Sequence, residues 1–139
     1  MEKIYQELVE KAINARRNAY APYSHFKVGA ALLTKEGKVY TGCNIETCTL
    51  TPTICAERTT LFKAVSEGER EFKAIAIVGD NEKYDVPTIF ASPCGVCRQA
   101  LAEFCDDDLV VILATKDETQ VTTLGELIPQ CFREKKFNE

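Results

Sequence analysis

The chain has 139 residues, 45% of them hydrophobic and 27% charged, with a formal net charge of −4. That length suits one compact domain over residues 1–139 with a real core, and the acidic balance argues against a nucleic-acid-binding face, which needs clustered basic charge. The charged stretch Met1-Glu2-Lys3-Ile4-Tyr5-Gln6-Glu7 lacks the apolar core of a signal peptide, and no apolar run approaches the roughly 20 residues of a membrane span.

In chain order, Ile4, Leu8, Ala12 and Ile13 recur at helical spacing, so residues 2–19 read as an amphipathic helix. Arg16-Arg17 within it reads as solvated. Ala21-Pro22-Tyr23-Ser24 ends the helix. Residues 27–34 and 38–44 read as two strands around Lys35-Glu36-Gly37, whose glycine suits a hairpin turn. Residues 54–65 read as a buried helix with Thr53 as N-cap after Pro52. Residues 72–78 form an apolar strand, Gly79-Asp80-Asn81 a turn, and residues 88–91 a short strand or extended run. A helix over 93–104, a buried strand over 109–114, a short strand over 120–122 and a last short helix over 123–127 complete the reading. Helices interleaved with apolar strands predict a layered α/β domain with helices covering a sheet.

Seven cysteines, an odd number, read as reduced thiols of a cytoplasmic protein rather than a disulfide framework. Three of them carry the main chemical signal, in Cys55-Ala56-Glu57 and Pro93-Cys94-Gly95-Val96-Cys97. Three thiolates fill three corners of a tetrahedral zinc site and leave the fourth open. Both segments are predicted at helix starts, where the helix dipole favours thiolates. Glu57 is too close to Cys55 in sequence to ligate comfortably beside it, but it is placed to move protons. Zn²⁺ with three thiolates is formally −1, and Arg58, directly after Glu57, is a candidate to donate to a ligand sulfur and offset that charge. A structural clip closed by a fourth cysteine (Cys43, Cys48, Cys105 or Cys131) stays open as an alternative, as does a set of buried free thiols.

The Cys-x-Glu and Pro-Cys-x-x-Cys frame matches the signature of the zinc deaminases in its three-cysteine version. The chain more specifically resembles the small, homotetrameric cytidine deaminases. The likeness runs through Ala21-Pro22-Tyr23-Ser24, Phe26-Lys27-Val28-Gly29-Ala30-Ala31-Leu32, Gly42-Cys43-Asn44-Ile45-Glu46, Cys55-Ala56-Glu57-Arg58-Thr59 and Ser92-Pro93-Cys94-Gly95-Val96-Cys97-Arg98-Gln99. The resemblance implies a three-layer cytidine deaminase-like fold, a mixed five-stranded sheet covered by helices. It implies one zinc per subunit on Cys55, Cys94 and Cys97, and a hydrolase that converts cytidine or deoxycytidine to uridine or deoxyuridine plus ammonia in pyrimidine salvage. Glu57 would be the proton carrier, Phe26 would pack on the base, and Asn44 and Glu46 would bind the ribose hydroxyls. The backbone amide of Cys48 would meet a pyrimidine carbonyl, and Phe132 would serve a neighbouring subunit's site. His25 matches no ligand position and reads as a surface residue.

The chain departs from the family at Thr47-Cys48-Thr49-Leu50-Thr51-Pro52. Thr47 stands for the usual Asn, Cys48 for Ala and Leu50 for Tyr. This leaves the chemistry safer than the substrate, and Leu50 would widen tolerance for substituted cytidines. The competing readings are a deaminase of a modified nucleoside such as a blasticidin-type antibiotic, and a non-catalytic zinc-binding module.

Overall fold

The computed structural model describes residues 2–134. Its elements are α1 (Lys3–Arg16), β1 (Phe26–Thr34), β2 (Val39–Cys43), α2 (Ala56–Ser66), β3 (Phe72–Asn81), α3 (Gly95–Phe104), β4 (Val110–Ala114), β5 (Thr119–Thr123) and α4 (Leu124–Leu127). The five strands form one mixed sheet in the order β2-β1-β3-β4-β5. Only β3 and β4 run parallel, and α3 lies between them in sequence; β1–β2, β1–β3 and β4–β5 are antiparallel.

The middle strands are apolar on both faces because both faces are covered. Alternate side chains separate into two cores. Ala30, Leu32, Ile75, Ile77, Val111 and Leu113 face α2, α3 and α4, joining Leu61, Leu101 and Leu124. Ala31, Leu33, Ala74, Ala76, Val78, Ile112 and Ala114 face α1, joining Leu8 and Ala12. The result is the expected three-layer α/β arrangement with a five-stranded mixed sheet.

Several local expectations change. Helix α1 closes at Arg16 rather than 19, because the amides of Arg17, Asn18 and Ala19 bond three residues back and Tyr20 leaves to bridge Ile45. Arg16 is not solvated: it is 3% exposed, and its guanidinium donates to the carbonyls of Lys27, Asp80, Asn81, Tyr84 and Asp85. Gly79-Asp80-Asn81 is strand rather than turn, since β1 continues to pair there through Val28, Lys27 and Phe26. Helix α2 is capped by Cys55, and Thr53 instead uses its hydroxyl to accept from the Thr47 amide at 3.0 Å. Residues 88–91 form no strand.

Candidate active site at two helix starts

Cys55 and Cys94 occupy equivalent places, each the extended N-cap residue of its helix, α2 and α3. Cys97 sits in the first turn of α3 and is fully buried. The three sulfurs lie within 4.8 Å of one another, and Cys55 Sγ is 3.9 Å from Cys94 Sγ. A tetrahedral zinc with bonds of about 2.3 Å would hold its ligand sulfurs about 3.8 Å apart. Donor type and spacing therefore fit zinc with one position open. Among the described residues no fourth cysteine joins them: Cys105 and Cys131 are buried in the core, Cys48 is exposed on its loop and Cys43 lies in β2.

The surrounding donors favour negative sulfur. The Cys97 amide donates to Cys94 Sγ at 3.4 Å, and Arg58 Nη2 donates to Cys55 Sγ at 3.4 Å. Hydrogen bonds from the Cys97 thiol and the Arg58 guanidinium hold the Cys55 thiol down to about 5, against the opposing effect of burial. Cys97, bonded to that thiolate and buried, is driven up. Among the described residues Arg58 Nε has no hydrogen-bond partner although it is buried, a cost that the sulfur charge in front of the guanidinium offsets.

Glu57, in the first turn of α2, is 5% exposed, and burial, with the Cys55 charge adding to it, pushes its carboxyl up to about 7. It opens into a cleft of about 310 Å³, within the size range of small-molecule sites. Phe26, Val28, Ile54, Ile77 and Ala91 supply the apolar wall of this cleft, while Ser24, Asn44, Glu46 and Ser92 supply polar groups beside Cys55 and Cys94.

Asn44 and Glu46 lie in the cleft but are already engaged with the protein. The Asn44 side chain accepts from the Val28 amide at 2.9 Å and donates to the Phe26 carbonyl at 2.8 Å. Glu46 Oε1 accepts from the amides of Tyr23 and Ser24 at 3.1 and 3.0 Å, and Oε2 accepts from the Ser24 hydroxyl.

Cys48 and Phe132 do not line this cleft in the single chain. Cys48 sits on the exposed 47–52 loop, where Leu50 adopts φ 66° and is 69% exposed. Phe132 is 60% exposed, with its carbonyl accepting from Gln99 Nε2 at 2.7 Å. His25 is exposed and pairs with Glu82 at 2.9 Å.

Sequence reasoning singled out neither Ser24 nor Arg98 as a site residue. Arg98 donates to the Pro93 carbonyl, the Ser92 hydroxyl and the Leu127 carbonyl, bracing the segment that leads into Cys94. Both residues lie inside the quoted motifs, which was the one available signal.

The cytidine and deoxycytidylate deaminase zinc-binding region, as a family model, matches residues 2–113. A cytidine deaminase from Sporosarcina psychrophila is 47% identical over 134 residues, covering 96% of this chain and 94% of the relative. One from Halalkalibacterium halodurans is 48% identical over 135 residues, covering 96% and 98%. A crystal structure of cytidine deaminase from Burkholderia pseudomallei superposes with a TM-score of 0.84 at 44% identity, covering 95% of this chain and 100% of that one.

Proposed function

The chain belongs to the cytidine and deoxycytidylate deaminase family, and from that premise we propose that it hydrolyses cytidine and deoxycytidine to uridine and deoxyuridine with release of ammonia, as a cytoplasmic enzyme of pyrimidine salvage. The observation that carries this reading is Glu57, buried in a nucleoside-sized cleft two residues from Cys55, one of three clustered sulfurs.

Cys55, Cys94 and Cys97 would hold one zinc per subunit, which when bound activates water as a Lewis acid. The work of the chain is then proton handling and placement. Glu57, whose carboxyl is pushed up to about 7, takes a proton from the attacking water at its carboxylate oxygen and delivers it to pyrimidine N3; as the C4–N bond breaks it takes a second proton from the hydroxyl now on C4 and delivers it to the departing amine, which leaves as ammonia. Its 5% exposure keeps bulk water from competing for those protons. Phe26 stacks on the base, and the Cys48 amide, which lies outside this chain's own cleft, meets a pyrimidine carbonyl in the site of a neighbouring subunit. Asn44 retains one N–H and one acceptor site for the ribose, and Glu46 retains an acceptor site.

A homotetramer completes each site with Phe132 from a neighbour. Its exposure, with that of Tyr20 and Leu50, supports such contacts. Among the described residues no helix is long and apolar enough to cross a membrane.

The test is an ultraviolet deamination assay across a nucleoside panel, with zinc quantified on the same sample. Glu57→Gln should keep fold and zinc while losing turnover by roughly 10²–10⁴-fold. Turnover within tenfold of wild type would remove Glu57 from the chemistry, and equal inertness of both proteins would favour a zinc-binding module. The panel includes C5- and N4-substituted cytidines and an aminonucleoside antibiotic. A strict preference for the antibiotic would move the substrate and leave the deamination standing.

A further inference from the structure

We propose that Ser24 is a positioning residue for sugar recognition: its hydroxyl fixes the Glu46 carboxylate and ties it to the Phe26 wall of the cleft. The inference rests on the reading of Glu46 as a ribose contact.

The geometry is a small closed network. Ser24 Oγ donates its only proton to Glu46 Oε2 and accepts from the Phe26 amide at 3.0 Å. The Ser24 and Tyr23 amides donate to Glu46 Oε1. Glu46 is itself anchored, its amide donating to the Tyr20 carbonyl at 2.9 Å. His25, at φ 59°, turns the backbone between Ser24 and Phe26. One hydroxyl thus joins the residue read as the sugar contact to the residue read as the base contact.

Acceptor arithmetic limits what the network can do. An ionised carboxylate offers about four lone-pair sites, and three donors already occupy Glu46. One acceptor site remains, on Oε2, enough for one sugar hydroxyl. Ser24 has no proton left for the sugar, so it acts through Glu46. Burial works to raise the Glu46 carboxyl, and the Ser24 hydroxyl with the Ser24 and Tyr23 amides outweighs it, holding the group below its ordinary range. The carboxylate is therefore an acceptor at neutral pH, aimed by the hydroxyl that fills half of Oε2.

The experiment compares Ser24→Ala, Ser24→Thr, Glu46→Gln and the Ser24→Ala/Glu46→Gln double variant as zinc-loaded enzymes, with zinc content and thermal midpoint as controls. Substrates are cytidine, 2′-deoxycytidine and 3′-deoxycytidine. Ser24→Ala should raise KM for cytidine by roughly 3- to 10-fold, the scale of one ordinary net hydrogen bond, because the hydroxyl acts on the sugar only through Glu46. The value of kcat should stay within about twofold. Ser24→Thr, which keeps the hydroxyl, should restore KM. On the analogue that Glu46→Gln does not affect, Ser24→Ala should have no effect either. The double variant should be no worse than Glu46→Gln alone, the non-additivity expected of one linked unit. Additive losses, an unchanged KM in Ser24→Ala, or an equal loss on every substrate would overturn the positioning role. If Glu46→Gln raises KM and Ser24→Ala does not, only that role falls. If Glu46→Gln leaves every KM unchanged, the sugar reading of Glu46 and the role of Ser24 fall together.

Discussion

Arg58 faces a set of three thiols that would carry a net negative charge once deprotonated around a divalent ion. Its Nη2 donates to Cys55 Sγ, and the hydrogen bond to that sulfur is the main cause that raises the guanidinium's own proton affinity. The same contact adds to the larger effect of the Cys97 hydrogen bond in lowering Cys55, whose thiol is held to about 5. A metal must displace the thiol proton to bind. Removing Arg58 lets the Cys55 value rise toward that of a free thiol, so protons compete at higher pH. Arg58→Gln should therefore lose zinc at a higher pH than wild type on acidification. Near neutrality its affinity should be roughly 10- to 100-fold weaker, as for other groups that support a metal ligand from behind. The check is zinc retained against a chelator from about pH 5 to 8. Identical midpoints would remove Arg58 from the site's electrostatics. Arg58→Lys should fall between, keeping the charge without the planar fork.

At the scale of elements, two glycines set how closely each helix layer approaches the sheet. A Cβ on Gly42 in β2 would lie 2.5 Å from Thr60 Oγ1 and 3.0 Å from Thr60 N in α2. On Gly29 in β1 it would strike the Ala12 carbonyl and lie 2.6 Å from Arg16 N in α1. Gly42→Ala should destabilise by about 1–3 kcal/mol, the usual cost of overpacking, and Gly29→Ala by at least as much, because it meets rigid backbone. Since α2 carries Cys55 and Glu57, Gly42→Ala should also lower activity, whereas Gly29→Ala should act mainly on stability. Gly95 is the control: a Cβ there meets nothing within 4 Å, so Gly95→Ala should leave stability within about 1 kcal/mol. Denaturant titrations of the three variants decide this, and equal losses at Gly42 and Gly95 would refute the packing argument. These contacts also mark what the sequence could reveal. Helical period identified α1, the glycine turn between two strand-like runs identified β1, continuous apolar runs identified β3 and β4, and the cysteine frame located both helix starts of the site. Period is silent about tertiary partners. Gly79-Asp80-Asn81 carries turn residues but is strand, because β1 supplies a partner across the gap. Thr53 has a capping side chain, but the 47–52 loop claims its hydroxyl. Arg16 looks like half of a solvated basic pair until five carbonyls from distant segments converge on it.

For the whole molecule, the decisive question is where Phe132 does its work. The tail is held down by other groups. Gln99 Nε2 bonds the Phe132 carbonyl, and Arg133 donates to the carbonyls of Ala102 and Cys105 and to Asp107. Tail anchoring does not need a buried Phe132 ring, and the residue is 60% exposed and absent from its own chain's cleft. A ring presented this way fits service to a neighbouring subunit, and that arrangement has a property no monomer shares: defects in two different chains complement each other. Phe132→Ala should lose roughly tenfold in kcat/KM, the scale of one aromatic stacking contact, and Glu57→Gln should be nearly inert. Co-expressed with distinct tags and purified through both, the mixed assembly pairs sites that keep Glu57 with neighbours that keep Phe132. With random assembly, about half of the Glu57-bearing sites regain a full neighbour, so activity should rise roughly fivefold over separately prepared, unmixed variants. If Phe132 serves its own chain, every Glu57-bearing site also carries the Phe132→Ala substitution and mixing gains nothing. Sedimentation of the same samples separates a failed complementation from a failure to assemble: a mixed oligomer without recovery places Phe132 in cis, and a monomer removes the shared site altogether.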